Sequence, residues 1–380
     1  MNAKPCILIV DDEPFNVDYL EQELEDLGYA TLSAGNGLDA LEIIASQETD
    51  LVLLDIMMPG MDGFGVLERL KADPEHQHLP VVVISALSDM ASVVRGIQLG
   101  AEDYLPKPFD DFLLRARISS ALEKKRLRDV EIAHMQSMEK ELEIGHQIQA
   151  GFLPHNLPEL SGWSLEAVFR PAREVAGDFY DVFLLPDGKL ALILGDVADK
   201  GVGSALFMAL YRSLLRSSLN NGMLLDDPAN KLLRAVIHTN DYVCATHDDA
   251  LFVTLFAAIL DPNTGELTFV SAGHNPPMLV SDRKPTYLCP TGPIMGVFEG
   301  LEFESDQAVV QPGGHLAIYS DGLEDSKAPS GELFGIERLI ASVLNGPVSA
   351  GSIIGTIDEF VSGSEQYDDL TLLLLKRDAA

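Results

Sequence analysis

The sequence predicts two folded parts: an α/β domain built on a doubly wound, parallel five-stranded sheet, then an α+β domain, with a long helix joining them. Three observations carry this reading. Residues 6–122 alternate short apolar runs with helical patterns, residues 110–150 hold no proline, and residues 152–380 are rich in strand-like runs joined by Gly, Pro and Asp turns. At roughly 100–200 residues per domain, 380 residues also imply two or three domains.

In the first part the apolar runs are Cys6–Val10, Thr31–Ala34, Leu51–Leu54, Val81–Ile84 and the short pair Tyr104 and Leu105. Between them apolar residues recur at helical spacing, as at Val17, Leu20, Leu24 and Leu27. Repeated βα units imply right-handed crossovers and a parallel sheet covered on both faces. Ligands then bind at the carboxyl ends of the strands. Next, Leu114, Ile118, Ala121, Ile132, Met135 and Leu142 fit a heptad seam that Lys125 and Arg128 interrupt. One helix is expected to leave the first domain and continue as a connector. Its seam reads either as a parallel dimeric coiled coil or as a solvated linker helix. The expected limits are 1–122 for the first domain, 123–150 for the helical linker and 151–380 for the second domain.

In the second part strands are expected at Leu165–Phe169, Leu190–Leu194, Leu251–Leu260, Leu267–Ser271, His315–Tyr319 and Leu370–Leu375. Helical stretches fall around Ser204–Ser218, Pro228–Val243, Ile336–Leu344 and Ile353–Val361. Strands clustered with helices in this way predict layers around antiparallel sheet.

Composition narrows the function. The formal net charge is −33, from 26 Lys+Arg against 59 Asp+Glu. Such a surface repels nucleic acid and anionic membranes, so neither is an expected partner. The charge splits as −15 over 1–122, −1 over 123–150 and −17 over 151–380. Cys6, Cys244 and Cys289 are odd in number and far apart, which argues for a reducing compartment. With no signal-peptide core and no apolar stretch of membrane-spanning length, the expected location is the cytoplasm.

Two constellations carry chemistry. Asp11 and Asp12 follow the first strand, Asp55 ends the third, Ser85 ends the fourth and Lys107 follows the fifth. In a parallel sheet these positions converge on one edge. Three carboxylates there call for a divalent cation, and oxygen ligands with retained waters suit Mg²⁺. The metal and the Lys107 ammonium together neutralise a phosphoryl group arriving on Asp55. Lys107-Pro108 is read as a cis peptide. The sequence here closely resembles the receiver domain of bacterial response regulators. The resemblance rests on Ile9-Val10-Asp11-Asp12-Glu13, Leu54 through Gly63, Ser85-Ala86 and Lys107-Pro108-Phe109. It implies Asp55 as phospho-acceptor and a histidine kinase as partner. Mg²⁺ is held by Asp12, Asp55 and the Met57 carbonyl, with Asp11 acting through water. Ser85 and Tyr104 are the implied switch pair.

In the second part Asp178, Asp196, Asp321 and the pair Asp368-Asp369 each abut an apolar run, most with a glycine neighbour. No His/Cys cluster of zinc spacing accompanies them, so all-oxygen ligation by Mg²⁺ or Mn²⁺ is expected. Together with Ile148-Gln149 and Leu153-Pro154 at the start, Gly201 through Leu206, Ser271 through Pro277 and Phe334-Gly335, they resemble the PPM-type serine/threonine phosphatases of the SpoIIE-like branch. The resemblance implies a four-layer α-β-β-α sandwich and two Mn²⁺ or Mg²⁺ ions bridged by Asp196. The Val197 carbonyl and Asp178 join that pair, while Asp321 and Asp368 complete the shell. Arg173, five residues before Asp178, is either a substrate-phosphate ligand or a surface arginine. His274 is either an acid for the leaving group or a structural imidazole of its turn.

The expected function is a response regulator in which Asp55 phosphorylation controls a metal-dependent protein serine/threonine phosphatase. Its implied substrate is a phosphorylated STAS-type anti-sigma antagonist in partner switching, and the linker helix makes a homodimer. The alternative is a non-catalytic adaptor whose phosphatase-like domain binds a sigma-factor regulator or a proteolysis target.

Overall fold

The computed structural model describes residues 4–86, 90–221, 227–247, 251–344 and 348–379. The chain divides into two compact units, 1–138 and 139–380.

The first unit runs β1 (Cys6–Val10), α1 (Pro14–Asp26), β2 (Ala30–Ala34), α2 (Gly37–Ser46), β3 (Leu51–Asp55), α3 (Gly63–Ala72), β4 (Val81–Ala86), α4 (Met90–Gln98), β5 (Asp103–Lys107) and the start of α5 (Asp111–Ala150). All five strands are parallel, in the order β2-β1-β3-β4-β5. The inner strands β1, β3 and β4 are almost wholly apolar because both faces are covered, while the edge strands β2 and β5 carry polar, partly exposed residues. Leu8, Val10, Val52, Leu54, Val81 and Val83 pack on one face, while Ile7, Ile9, Leu51, Leu53, Val82 and Ile84 pack on the other. Caps fix where the helices begin. The Asn36 side chain accepts from the Leu38 and Asp39 N–H groups, and Asp62 accepts from Gly65 N–H at 2.8 Å.

Helix α5 is continuous over the expected connector, but half of its seam is already used. Leu114, Ile118 and Ala121 are buried in the first unit's core. Of the remaining seam residues, Ile132 and Met135 are exposed and Leu142 lines an apolar groove with residues of the second unit. The 3.6-residue repeat of a core-facing helix and the 3.5-residue heptad are too close to separate over two turns.

The second unit continues with β6 (Trp163–Arg170), β7 (Asp178–Leu184), β8 (Leu190–Val197), α6 (Val202–Asn220), α7 (Pro228–Thr246), β9 (Val253–Leu260), β10 (Glu266–Ala272), β11 (Met278–Ser281), β12 (Lys284–Tyr287), β13 (Asp306–Val309), β14 (His315–Tyr319), α8 (Gly322–Asp325), α9 (Gly335–Leu344), α10 (Ala350–Val361) and β15 (Leu370–Arg377). Two antiparallel sheets form, β13-β10-β9-β8-β7 and β12-β11-β14-β15-β6. Period-two alternation builds the layers. In β14 and β15, Leu316, Ile318, Leu373 and Leu375 face the other sheet, while Ala317, Tyr319, Leu372 and Leu374 face α9 and α10. Helices α6 and α7 cover the first sheet through Met208, Tyr211, Leu215, Leu232 and Val236. The result is the α-β-β-α sandwich that the sequence resemblance implies.

Phe256 is fully buried in this core and stacks on Phe269, with ring centroids 5.5 Å apart. Phe256→Ala removes that contact and leaves a cavity, so the second unit should lose about 3–5 kcal/mol. Urea unfolding followed by circular dichroism reads the lowered midpoint.

Candidate metal centres

In the first unit the carboxyl ends of β1 and β3 bring Asp11, Asp12 and Asp55 together. Their carboxylate oxygens lie within 4.8 Å of one another, the only such triad among the described residues. Asp11 and Asp55 are buried and Asp12 is exposed. Lys107, at the end of β5, places its ammonium 2.9 Å from Asp11 and 2.8 Å from Asp55. Even so, burial raises the Asp55 pKa above the usual carboxylate range, against the opposing pull of Lys107. A desolvated, hydrogen-bonded carboxylate beside two others is a site short of positive charge, and its oxygen donors fit a small hard cation. The Lys107–Pro108 peptide is cis. Ser85 is buried at the end of β4 and Tyr104 is half-buried on β5, its ring 5.6 Å from the Arg117 guanidinium carbon. The Met57 side chain is exposed, and its N–H points at Asp55 over 3.4 Å. Asn16 was not among the expected site residues. Its amide donates to both Asp11 oxygens, at 3.0 and 3.1 Å, and to Glu13, which fixes the orientation of the Asp11 carboxylate.

In the second unit the acidic residues come from strand ends of both sheets. Asp178 at the start of β7 pairs in register with Asp196 near the end of β8. Asp321 follows β14, and Asp368 and Asp369 precede the adjacent strand β15. Asp178 is buried and accepts a hydrogen bond from the Thr371 hydroxyl. Burial, then the neighbouring Asp196 and Asp369, hold its carboxyl well above the ordinary range. Asp196 is pushed up to about 7, first by burial and then by Asp321, Asp368 and Asp369. Asp321 is raised by burial and by Asp368. Mutually repelling carboxylates in a desolvated place are destabilised unless cations join them. The all-oxygen donor set suits hard divalent ions rather than zinc.

The Asp368-Asp369 pair divides its work. Asp369 accepts from the Ala172 N–H at 2.8 Å and the Gly177 N–H at 2.9 Å, so it braces the loop that carries Asp178. Asp368 instead faces the Lys200 ammonium at 3.0 Å. A cation therefore already stands against one of the candidate ligands.

Close backbone approach explains two glycines. A Cβ on Gly177 would sit 2.6 Å from the Val197 carbonyl oxygen, and one on Gly322 would sit 2.0 Å from the Asp369 carbonyl oxygen. Gly322→Ala must therefore displace backbone beside Asp321 and Asp369. We expect a loss of about 1–3 kcal/mol of stability, read by thermal unfolding, with weakened manganese binding by calorimetry.

Two further expected residues have plain surroundings. His274 is buried on Thr254, with Nδ1 2.9 Å from the hydroxyl, and burial lowers its pKa to about 4. The imidazole is thus neutral at pH 7 and enclosed. Arg173 is exposed in a polar hollow with Glu139, Glu143, His146 and Glu174. Gln149, one of the motif pieces of the sequence, has a definite partner. Buried in the last turn of α5, its amide donates to the Ala176 carbonyl at 2.7 Å and accepts from the Ala176 N–H at 2.9 Å. The end of the connector thus holds the backbone two residues before Asp178.

Residues 186–378 match the family Stage II sporulation protein E (SpoIIE), and residues 7–119 match the response regulator receiver domain. Protein IcfG of Synechocystis sp. is 39% identical over 262 residues, covering 62% of this chain and 41% of IcfG. Response regulator PleD of Caulobacter vibrioides is 45% identical over 123 residues, covering 32% of this chain and 27% of PleD. The chain thus spans less than half the length of these curated relatives. The SiaA-PP2C domain of Pseudomonas aeruginosa shares the fold, with a TM-score of 0.55 at 21% identity over 65% of this chain and 99% of that one. Among the described residues no helix is long and apolar enough to cross a membrane. The family match covers half of the sequence and the fold agrees with it, so the chain belongs to the SpoIIE family and carries a receiver domain ahead of its PPM-type phosphatase domain.

Proposed function

We propose that the chain is a metal-dependent protein serine/threonine phosphatase whose activity is set by phosphorylation of Asp55 in its receiver domain. One observation carries the enzymatic reading: Asp178 and Asp196, paired in register, and Asp321 and Asp368 come from four neighbouring strand ends, where burial and mutual repulsion raise the carboxyls of Asp178, Asp196 and Asp321. An adaptor that only docks a partner has no use for this arrangement, which destabilises the fold unless cations enter it.

In this reading Asp196 would be shared by two Mn²⁺ or Mg²⁺ ions, with Asp178 and the Val197 carbonyl as further ligands and Asp321 and Asp368 completing the set. When bound, such ions supply a deprotonated water near neutral pH and neutralise charge on a phosphoryl group. The protein's own work is positioning. Thr371 and the Gly177 turn fix Asp178, Asp369 anchors the loop from Ala172 to Asp178, and Gly322 lets β14 approach β15 closely. The expected substrate is a phosphoserine or phosphothreonine protein, of the STAS-type anti-sigma antagonist class, in a cytoplasmic partner-switching pathway.

On the receiver side, Asp55 accepts a phosphoryl group from a histidine kinase. Mg²⁺ would be held by Asp12, Asp55 and the Met57 carbonyl, with Asp11 acting through water, and Lys107, Ser85 and Tyr104 are the groups placed to answer the phosphoryl group. The continuity of α5 and the grip of Gln149 on Ala176 support a relay from the first domain to the Asp178 loop. The exposed Val130, Ile132, Met135 and Met138 support self-pairing of α5 as a homodimer.

The test is phosphate release from a phosphoserine peptide by the full chain. Manganese should support turnover and a chelator should abolish it. Equal rates with metal and with chelator would contradict the reading.

A further inference from the structure

We propose that Lys200, rather than an arginine outside the cluster, is the side chain that receives the substrate's phosphoryl group at the mouth of the carboxylate site, with the Tyr367 ring as its support. The inference rests on the phosphatase reading above and names a binding group for it.

Lys200 lies in the turn between β8 and α6, four residues after Asp196. Its ammonium is 3.0 Å from Asp368, donates to the Tyr367 carbonyl at 2.7 Å and sits 4.4 Å from the centre of the Tyr367 ring. One side chain thus borders a candidate ligand and the aromatic ring beside it. Lys327 places a second ammonium 4.3 Å from the same ring, which is 63% exposed. In a chain of net charge −33, two ammonium groups on one open aromatic ring offer an anion cationic partners beside the carboxylate site. That is where an anionic substrate is drawn in.

The backbone is shaped to put Lys200 there. Asp199 adopts φ 72° and Gly201 φ 97°, so the residues on both sides of Lys200 are left-handed. Gly201 takes this conformation readily, but an aspartate there carries a strain of about 1–3 kcal/mol. The Lys200–Asp368 pair does not account for that strain as a stabilising contact. Both side chains are 31% exposed, and such pairs contribute about 0–1 kcal/mol. Binding chemistry accounts for it better. A divalent ion on Asp368 competes with the ammonium for the same oxygens. The Tyr367 carbonyl and ring keep the displaced ammonium at the mouth, where a phosphoryl oxygen is its next partner. A charge-assisted bond of this kind discriminates strongly for a phosphate dianion.

The experiment compares full-length wild type, Lys200→Met, which keeps the stem over Tyr367, and Lys200→Arg, which keeps the charge. Manganese binding to metal-free protein and inorganic phosphate binding to manganese-loaded protein are measured by calorimetry. KM and kcat are measured with a phosphoserine peptide. In Lys200→Met the phosphate dissociation constant and KM should rise about tenfold or more, while manganese binds as tightly as in wild type or tighter. Lys200→Arg should restore phosphate affinity to within about threefold of wild type. Unchanged phosphate affinity and KM in Lys200→Met, with an active wild type, would overturn this inference alone. So would a loss of manganese affinity as large as the loss of phosphate affinity, since Lys200 would then act on the metal shell. A wild type that neither binds phosphate nor turns over would overturn the phosphatase reading and this inference with it.

Discussion

Replacing Asp196 with asparagine should lower manganese-dependent phosphate release by about 10³-fold or more, because an interaction worth several kcal/mol to the transition state is removed. Asp196 stands among the other carboxylates of the site. It pairs with Asp178 across β7 and β8 and feels Asp321, Asp368 and Asp369 from the second sheet. The same variant should fold as stably as wild type, or more so, when metal is withheld. Its carboxyl is pushed up to about 7 by burial and by three neighbouring acids, and a neutral amide of the same shape relieves that repulsion. Activity and stability should therefore move in opposite directions, with thermal unfolding of the chelated proteins reading the second. A variant that lost activity through misfolding would lose both. Full retention of activity would remove Asp196 from the metal site.

The second large effect belongs to Asp55. Asp55→Asn should abolish phosphoryl uptake from acetyl phosphate in the presence of Mg²⁺, observed as loss of the mass increase in the intact protein. The reason is geometric. Asp55 ends β3 next to Asp11, whose orientation Asn16 holds, and shares the Lys107 ammonium with it. Asp12 is the more exposed acid of the triad, and uptake there would lack the buried cationic partner. Uptake that persisted in Asp55→Asn at the wild-type level would place the acceptor elsewhere.

Much of this architecture was legible because apolar runs and their spacing reflect which faces are covered. The inner strands β1, β3 and β4 of the receiver domain read as apolar segments since helices cover both sides of the sheet, while the edge strands β2 and β5 gave shorter runs. Strand β7 was not among the expected strands. It contains Asp178 and Asp181, both buried, and charges inside a strand hide the apolar signal. What permits the Asp181 charge is Arg212, 3.1 Å away, and Arg216, 2.6 Å away, both on α6. Pairing over that sequence distance leaves no local trace. Strands β11, β12 and β13 are four residues each, too short for a periodicity.

The candidate sites divide in the same way. Ligand-type aspartates at strand ends stand out beside their glycines, since close backbone approach is a local property. The residues that orient them do not. Asn16, Gln149, Lys200 and Thr371 gain their roles from partners brought near by the fold, as Gln149 does with Ala176 and Thr371 with Asp178. The heptad pattern at Leu114, Ile118 and Ala121 was real as a periodicity, yet it serves the receiver core rather than a second helix.

The central claim is that one chain couples phosphorylation of Asp55 to the carboxylate site of its phosphatase domain. The most direct test is the steady-state rate of phosphate release from a radiolabelled phosphoserine peptide, with manganese, before and after treatment of the full chain with acetyl phosphate. The account predicts that phosphorylation changes this rate at least several-fold in wild type and leaves it unchanged in Asp55→Asn. Equal rates for phosphorylated and unphosphorylated wild type, with phosphorylation verified by intact mass, would contradict it.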